Sequence, residues 1–493
     1  MALNDLIPAV LIANRGEIAC RVIRTCKAQG IRTIAVFHDL DRFAPHVAQA
    51  DGAVEIVGEP ATQAYLDQQQ IIELAKAEGA RAIHPGYGFL SENASFVEAV
   101  EKAGLIFVGP NANAIAAMGD KIESKRLAKA AGVNTIPGTE DAVTDAEEAI
   151  KVAAEIGFPV MLKASAGGGG KGMRIAASAD EVAEGFTSAV SEAKTSFGDD
   201  RVFIEKYIEQ PRHIEIQVMG DKQGSLLHLM ERECSIQRRH QKIIEEAPSP
   251  FISEETRKAM AAQAVALAAA VDYDNAGTVE FIVDKDQNFY FLEMNTRLQV
   301  EHPITEAISG QDLVELQLLA AAGEALPISQ SDVGIEGHAI ELRICAEDPD
   351  QDFMPAIGAI RRLSVPADVR FDSGVVEGDQ VSPAFDPMLV KLIVHGEDRA
   401  GAITKALAAL EQLVLLGCTT NTPYMARILR HKAFQAGETT TGFVADHADD
   451  LKAPIYEGDE LAALLAAAAM AQPAFKRLSA APGPAREIGE WRP

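Results

Sequence analysis

The sequence predicts an α/β and α+β multidomain protein, and three observations carry that expectation. At 493 residues the chain is longer than one hydrophobic core organises, so several domains are expected. It opens on a βαβ pattern: a short apolar strand over Ala9 to Ala13, a helix from Glu17 to Gln29 ended by Gly30, and a second strand over Arg32 to Phe37. Farther on, apolar and polar residues alternate in paired segments joined by turn residues, the pattern of antiparallel hairpins.

Taken in order, the first strand-to-helix turn is Asn14-Arg15-Gly16-Glu17, with one glycine where a dinucleotide binder needs several for close approach of a pyrophosphate. Residues 1–118 are therefore expected to form an α/β domain that does not bind NAD. From 119 the pattern changes to a helix holding Lys121 and Lys125, followed by Val133 to Gly138. Phe158 to Lys163 reads as a strand running into a loop from Ala164 to Met173 that contains Gly167, Gly168, Gly169 and Gly170. Gly167, Gly169 and Gly172 match a GxGxxG expression, yet Met173 to Ala176 continues as a strand rather than a helix, which opposes a dinucleotide site. A Walker A reading fails too, because Gly172 follows Lys171 where a magnesium-binding hydroxyl is required. What remains is a glycine-rich hairpin loop whose free N–H groups suit it to cover phosphates. The folding entropy of consecutive glycines argues for a functional loop over a plain surface turn.

Thr278 to Val283 reads as a strand, Asp284 to Asn288 as a turn, and Phe289 to Glu293 as the returning strand. If the turn closes with four loop residues, Glu280 stands opposite Glu293. Two carboxylates so placed repel by about 4 kcal/mol at an effective dielectric near 20. A divalent cation with oxygen ligands removes that repulsion, and Asn295 adds a third oxygen on the same face. The alternation continues, with Glu293, Asn295, Arg297, Gln299 and Glu301 on one face and Met294, Leu298 and Val300 on the other. A straight strand would part Glu293 from Glu301 by about 26 Å, so a bend after Asn295 is expected to bring both into one cavity.

Five segments, Ile12 to Ala19, His84 to Asn93, Gln237 to Lys242, Glu280 with Glu293 to Pro303, and Arg343 to Pro349, together resemble the biotin carboxylases of the ATP-grasp superfamily. The similarity runs from about residue 5 to 450, and long motifs in the right order make chance agreement implausible. It implies a Rossmann-like pre-ATP-grasp domain over 1–118, an ATP-grasp domain over 119–334 with a mobile lid at about 137–205, and a C-terminal biotin carboxylase domain over 335–450. A helical tail and linker over 451–493 would follow, punctuated by Ala481-Pro482-Gly483-Pro484.

The implied activity is ATP- and bicarbonate-dependent carboxylation of biotin through carboxyphosphate, the first half-reaction of an acyl-CoA carboxylase. In that reading Lys121 and Lys163 hold phosphates beneath Gly167, Gly168, Gly169 and Gly170. Glu205, Lys206 and Ile208 cradle adenine, and His213, Gln237, His240, Gln299 and Val300 complete the cofactor-binding set. Glu280, Glu293 and Asn295 hold Mg2+ or Mn2+. Arg297 binds bicarbonate, Glu301 is the general base, and Lys242 and Arg343 serve the bicarbonate and biotin end, Arg343 stabilising the ureido enolate. Arg238 and Arg239 are expected in solvent with no catalytic part. No Met-Lys-Met tripeptide of the biotinyl-acceptor kind occurs, so biotin is expected on a carrier protein or domain, with a carboxyltransferase partner and a homo-oligomeric state. The alternatives are a ligase of carbamoyl-phosphate type, which need not share Arg297 to His302 or Arg343, and an inactive nucleotide-binding subunit, which would have lost Glu280, Glu293, Asn295, Lys121 or Lys163.

A formal net charge of -27 opposes binding to nucleic acid or anionic membrane and makes a local cation cluster meaningful. The five cysteines are scattered, as in a reducing compartment, and a cytoplasmic location is expected. Cys234, close to the basic motif, is expected to be a buried thiol. No signal-type segment opens the chain, and the longest apolar run, Leu461 to Ala471, is too short to cross a bilayer.

Overall fold

The computed structural model describes residues 2–139, 141–164, 173–197, 200–454 and 458–471. Residues 1–450 form one compact unit and 451–493 a second. The first holds a parallel sheet, a small antiparallel sheet and a long antiparallel sheet. In the second, the described element is the helix Gly458–Ala471, with Asp459 and Glu460 in its first turn, where the helix dipole favours acids. No described helix is long and apolar enough to cross a membrane.

The opening βαβ pattern takes the expected form with ends shifted by one residue: β1 is Ala9–Ile12, the helix runs Gly16–Ala28, and β2 is Arg32–Phe37. With β3 (Gly52–Glu55), β4 (Ala82–His84) and β5 (Ile106–Phe107) they form a parallel sheet in the order β3-β2-β1-β4-β5. Every residue of β1 is buried, as expected for a strand covered on both faces. The strand order reverses at β1, and the turn after it carries Asn14 to Glu17 at that switch point. Asn14 Nδ2 donates to the carbonyls of Pro85, at 2.6 Å, and Tyr87, at 2.8 Å, so two of the quoted motifs fold against each other. Gly86 permits this: its φ is +63°, and a Cβ there would meet Asn14 Nδ2 at 2.9 Å and Ile18 Cγ1 at 3.0 Å.

His46, on the short helix Pro45–Gln49, is fully buried, and burial pushes its imidazole down to about 4 against the pull of Asp41. In an unfolded chain a histidine titrates near 6.5, so between these values the unfolded state binds more protons. The stability His46 contributes is complete above about pH 6.5 and is lost as pH falls toward 4, about 2 kcal/mol of it by pH 5. His46→Leu is therefore expected to flatten the fall in urea midpoint between pH 7.5 and pH 5. Identical slopes for variant and parent would remove His46 from the acid response.

The antiparallel sheet β7-β6-β8 is built from β6 (Val160–Ala164), β7 (Met173–Ala176) and β8 (Val202–Lys206). Leu162, Ile204 and Val202 pack there with Ala149 and Ala153 of the helix Ala146–Ile156 and Val182 and Phe186 of the helix Ala179–Phe197. The glycine loop predicted between β6 and β7, with Gly167, Gly168, Gly169 and Gly170, lies outside the described residues.

The long sheet has eight antiparallel strands. Its order is β13 (Phe289–Asn295), β12 (Asn275–Val283), β9 (Arg212–Gly220), β10 (Leu226–Arg238), β11 (Gln241–Ala247), β14 (His338–Cys345), then Met388–Gly396 and Arg370–Ser373. One face of β9 and β12 buries Ile214, Ile216, Val279 and Phe281 against Met260, Ala264 and Leu267 of the helix Glu254–Ala270. Because β11 pairs with β14, the sheet runs without a break from the predicted ATP-grasp segment into the predicted C-terminal segment.

In the hairpin of β12 and β13, Glu280 does pair with Glu293, though by another route than a four-residue loop. Val283 pairs with Phe289, leaving the five residues 284–288 in the loop, and a register shift between Phe281↔Phe291 and Glu280↔Glu293 restores the opposition. Leu292 is the extra residue, and it is 37% exposed. The alternation expected through Glu301 stops at Asn295, where β13 ends. Residues 296–300 are irregular, and Glu301 becomes the N-cap of the helix His302–Ser309, with Pro303 in its first turn. The bend required by distance is thus a change of element rather than a curved strand.

Candidate active site

A cleft of about 1640 Å³ opens between the three sheets. Its lining includes Lys121, Lys163, Glu205, Lys206, Ile208, His213, Gln237, His240, Lys242, Glu280, Glu293, Asn295, Arg297, Gln299, Val300 and Arg343, so residues far apart in sequence converge on one cavity. Glu301 lies just beneath the lining with no exposed surface.

Lys242 is the centre of the cavity floor. It sits at the start of β11, just after a two-residue turn in which Arg239 and His240 both take positive φ, 50° and 67°. Its Nζ lies 2.6 Å from Glu215, 3.0 Å from Glu280 and 2.7 Å from Glu301. Desolvation alone would favour a neutral amine, but Glu215, Glu280 and Glu301 more than offset it and keep the group protonated. Glu215 is shared with Arg232, fully buried on β10, which also donates to Gln217 and Thr305.

Glu301 accepts from Lys242 through Oε1 and from Arg343 Nη2, at 2.9 Å, through Oε2. Burial would raise its carboxyl, yet Lys242, Arg343 and Arg232 hold it well below the usual carboxylate range. In this arrangement Glu301 is a stabilised anion. Accepting a proton as a base requires that an incoming anion draw at least one of those cations away. Cys234 is buried with Sγ 3.9 Å from Glu301 Oε1, and desolvation pushes it well above the usual thiol range, so it is the inert thiol expected.

On the other side of Lys242 stands the carboxylate pair. Glu280 accepts from His213 Nε2 at 2.6 Å, Asn295 Nδ2 at 2.8 Å and Gln299 Nε2 at 3.0 Å. Glu293 faces the cleft, and its carboxyl is raised by desolvation and by the negative charge of Glu280. That residual repulsion between two oxygen donors is what a hard divalent cation relieves, and the donor set fits one. Asn295 at present turns its Nδ2 to Glu280 and its Oδ1 to Arg297 Nη2 at 3.0 Å; the opposite amide orientation would give a metal its third oxygen.

At the mouth, Glu205 accepts from Lys163 at 2.6 Å and Lys125 at 2.7 Å, and these two cations hold its carboxyl low against burial. The predicted phosphate lysine is therefore clamped by the predicted adenine residue. Lys206 Nζ donates to the carbonyls of Gly157, at 3.0 Å, and Phe158, at 2.8 Å, fixing β8 to the strand entrance of β6. Gln237 Nε2 lies 2.7 Å from His213 Nδ1, which leaves His213 Nε2–H to donate to Glu280. Burial lowers the His213 imidazole, but Glu280 more than compensates and the net shift is upward. His240 is exposed at the hairpin tip.

Two expectations need correction. Arg297 does not present a free fork: Nε lies 2.9 Å from Glu92, and its other nitrogens donate to Gln299 Oε1 at 2.9 Å and Asn295 Oδ1. Since residues 296–300 leave the sheet, its side chain turns along the loop and binds the local carbonyl oxygens first. Arg238 is not in solvent. It is 13% exposed, 3.1 Å from Glu347, and stacked 4.4 Å above the Phe353 ring, while Arg239 is exposed and paired with Asp352 as a charge run normally is. Sequence reasoning gave no site role to Glu92, Glu215, Lys125, Glu245 and Lys391. Glu92 lay inside a quoted motif; the others come from strands or helices whose neighbours only the fold defines. Lys391, fully buried, donates to the Val300 carbonyl at 2.7 Å and stands 3.3 Å from Glu17, whose carboxylate also accepts from Tyr87.

Family profiles match this chain in three consecutive blocks: "Biotin carboxylase, N-terminal domain" over residues 6–115, "Carbamoyl-phosphate synthase L chain, ATP binding domain" over 120–329, and "Biotin carboxylase C-terminal domain" over 341–446. A propionyl-CoA carboxylase alpha chain of Ruegeria pomeroyi is 53% identical over 459 residues, covering 89% of this chain and 67% of the relative. The chain belongs to the biotin carboxylase family. The human mitochondrial propionyl-CoA carboxylase alpha chain is 52% identical, with 95% of this chain and 65% of the relative covered. A mitochondrial methylcrotonoyl-CoA carboxylase subunit alpha of Glycine max is 52% identical, with 90% and 61% covered. This biotin carboxylase family member thus spans about two thirds of the length of such relatives.

Among solved structures, the biotin carboxylase domain dimer of Hydrogenobacter thermophilus 2-oxoglutarate carboxylase, in complex with magnesium ADP, ADP and bicarbonate, superposes with a TM-score of 0.85 at 45% identity, covering 91% of this chain and 99% of that one. The Campylobacter jejuni biotin carboxylase bound to β-γ-ATP gives a TM-score of 0.85 at 44% identity, with 90% and 100% covered.

Proposed function

We propose that this chain carboxylates the biotin of a carrier protein or domain, using ATP and bicarbonate through carboxyphosphate, for an acyl-CoA carboxylase of the propionyl- or methylcrotonyl-CoA kind. One observation carries the reading: a single ammonium, Lys242, ties the carboxylate of the metal pair to the carboxylate that faces Arg343. Nucleotide and bicarbonate chemistry thereby share one electrostatic centre. A bound magnesium would be held by Glu280, Glu293 and Asn295 and would neutralise phosphate charge. Lys121, Lys163, His213, Gln237 and His240 orient the nucleotide around it, with Glu205, Lys206 and Ile208 at the adenine. Gln299 and Val300 complete the cofactor-binding set, Lys242 seats bicarbonate together with Arg297 once that anion draws the guanidinium from Glu92, Glu301 takes its proton, and Arg343 stabilises the negative oxygen of the biotin enolate.

We divide the chain at 118, 334 and 450 as the sequence suggests, with a lid at about 137–205. The carrier, a carboxyltransferase and further copies of the chain are its partners, in line with the relatives being carboxylase alpha chains. All five cysteines are free, which suits a reducing compartment, either the cytoplasm or the mitochondrial interior that some relatives' names give.

Phosphate release with bicarbonate, with and without free biotin, tests the reading: biotin should stimulate it, and carboxybiotin should form. Glu293→Gln is expected to cut metal-dependent turnover on the order of a hundredfold with the fold intact. Full turnover in folded Glu293→Gln would remove the metal assignment. Carbamoyl phosphate formation from ammonia would replace the whole reading with the ligase alternative.

A further inference from the structure

Behind the cleft, Glu245 on β11 and Glu341 on β14 face each other as direct cross-strand partners, both with no exposed surface. Like charges in such a position are destabilising, and buried carboxylates normally find hydrogen-bond donors. Yet among the described residues none of their four carboxylate oxygens has a hydrogen-bond partner. What stands in front of them is Arg343, two residues beyond Glu341 on the same face of β14.

Arg343 Nε lies 2.5 Å from Glu245 Oε1, in an ion pair skewed from a linear hydrogen bond, and Nη2 lies 2.9 Å from Glu301 Oε2. Held at Glu301 alone, the planar fork could swing about that contact; the second charge at Nε removes the freedom. Lys391, the cross-strand neighbour of Arg343, does not compete for Glu245, since its Nζ is taken by the Val300 carbonyl and Glu17.

We propose that Glu245 is a positioning residue for Arg343, fixing the guanidinium at Nε so that its Nη edge is presented to the biotin end of the cleft, with Glu341 as a spacer behind. Burial pushes the Glu245 carboxyl up to about 7 against the pull of Arg343, and pushes Glu341 well above the usual range. The ion pair at Arg343 Nε is made by Glu245, and Glu341 stands behind it as the cross-strand partner. The inference rests on the reading of Arg343 as the biotin-end cation.

The experiment uses the full chain with free biotin and compares Glu245→Gln, Glu341→Gln and Arg343→Ser. Glu245→Gln is expected to lower kcat for biotin carboxylation by about tenfold or more, while KM for biotin and bicarbonate-dependent ATP cleavage without biotin stay within about twofold. Glu341→Gln, which keeps the shape behind Glu245, is expected to leave both activities within about twofold. Should Glu245→Gln fail to fold, Glu245→Asp, which keeps the charge one methylene short, carries the same expected direction. The positioning role is overturned if Arg343→Ser collapses carboxylation while the Glu245 variants do not, or if those variants lose both activities in proportion. Retained carboxylation in Arg343→Ser would instead overturn the role of Arg343 on which the inference stands.

Discussion

Arg343→Ser should collapse biotin carboxylation while sparing much of the bicarbonate-dependent ATP cleavage, whereas Glu301→Gln should suppress both. Glu301 sits between Lys242 and Arg343, beside the Arg297 loop, and in the proposed assignment receives the proton of bicarbonate before phosphorylation. Arg343 comes from β14, at the far side of that carboxylate, and in the same proposal acts only once a nucleophile is present. Carboxyphosphate can form and decompose without biotin, so its formation survives loss of Arg343. Losing one preorganised donor to a developing oxyanion costs about 3 to 4 kcal/mol, a rate factor on the order of hundreds. Parallel measurement of carboxybiotin and phosphate decides the matter. Equal proportional losses of both activities in both variants would mean that the two residues act as one electrostatic unit.

The second large effect is expected at Lys242. Lys242→Met preserves length and apolar stem but leaves Glu215, Glu280 and Glu301 without the ammonium they share. Removing one partner of a buried ion pair typically costs about 3 to 5 kcal/mol, and ATP turnover should vanish with it. Without the cation, mutual repulsion and burial drive these carboxyls above their unfolded values, so the folded variant takes up protons that the unfolded chain does not. Its stability is retained below the unfolded carboxylate range and lost as pH rises. The variant should therefore be destabilised relative to the parent more at pH 8 than at pH 6, by urea midpoint. A deficit independent of pH would show that lost packing, rather than lost neutralisation, is responsible.

The opposed carboxylates were legible in the sequence because period-two alternation and turn residues are local signals. Even there the route differed, since a bulge at Leu292 compensates for a longer loop, and bulges leave little trace in composition. Alternation misled beyond Asn295, where Arg297 and Gln299 line the cleft from a loop and Glu301 lies beneath it as a helix cap rather than on a strand. The motif resemblance reached Lys242, Glu301 and Arg343, but not the groups that hold them. Glu215, Glu245 and Lys391 sit on strands whose side-chain pattern is that of buried sheet, and only the strand order makes them neighbours of the site. Arg297 shows the opposite limit: its type suggests an anion fork, and its hydrogen bonds are already committed.

The position of Lys242 also sets a requirement on shape. In the strand order, β11 and β12 are separated by β10 and β9, and in a flat sheet three inter-strand steps would put them about 14 Å apart. An extended lysine and an extended glutamate cover that distance together only by lying flat along the sheet, yet Lys242 Nζ stands 3.0 Å from Glu280. A sheet curled like a cupped palm lets side chains that stand off its face meet, and its register slips fall where such a bend forms: between His228 and Glu231 against β9, where Met230 has φ +65°, and at Glu233, Ile236 and Gln237 against β11. Of those irregular positions Gln237 lines the cleft itself, while Met230, Glu233 and Ile236 act through the path of the strand. Deleting one residue there to make the ladder regular would open the palm and part the metal end from the base, leaving every predicted side chain in place and the enzyme silent.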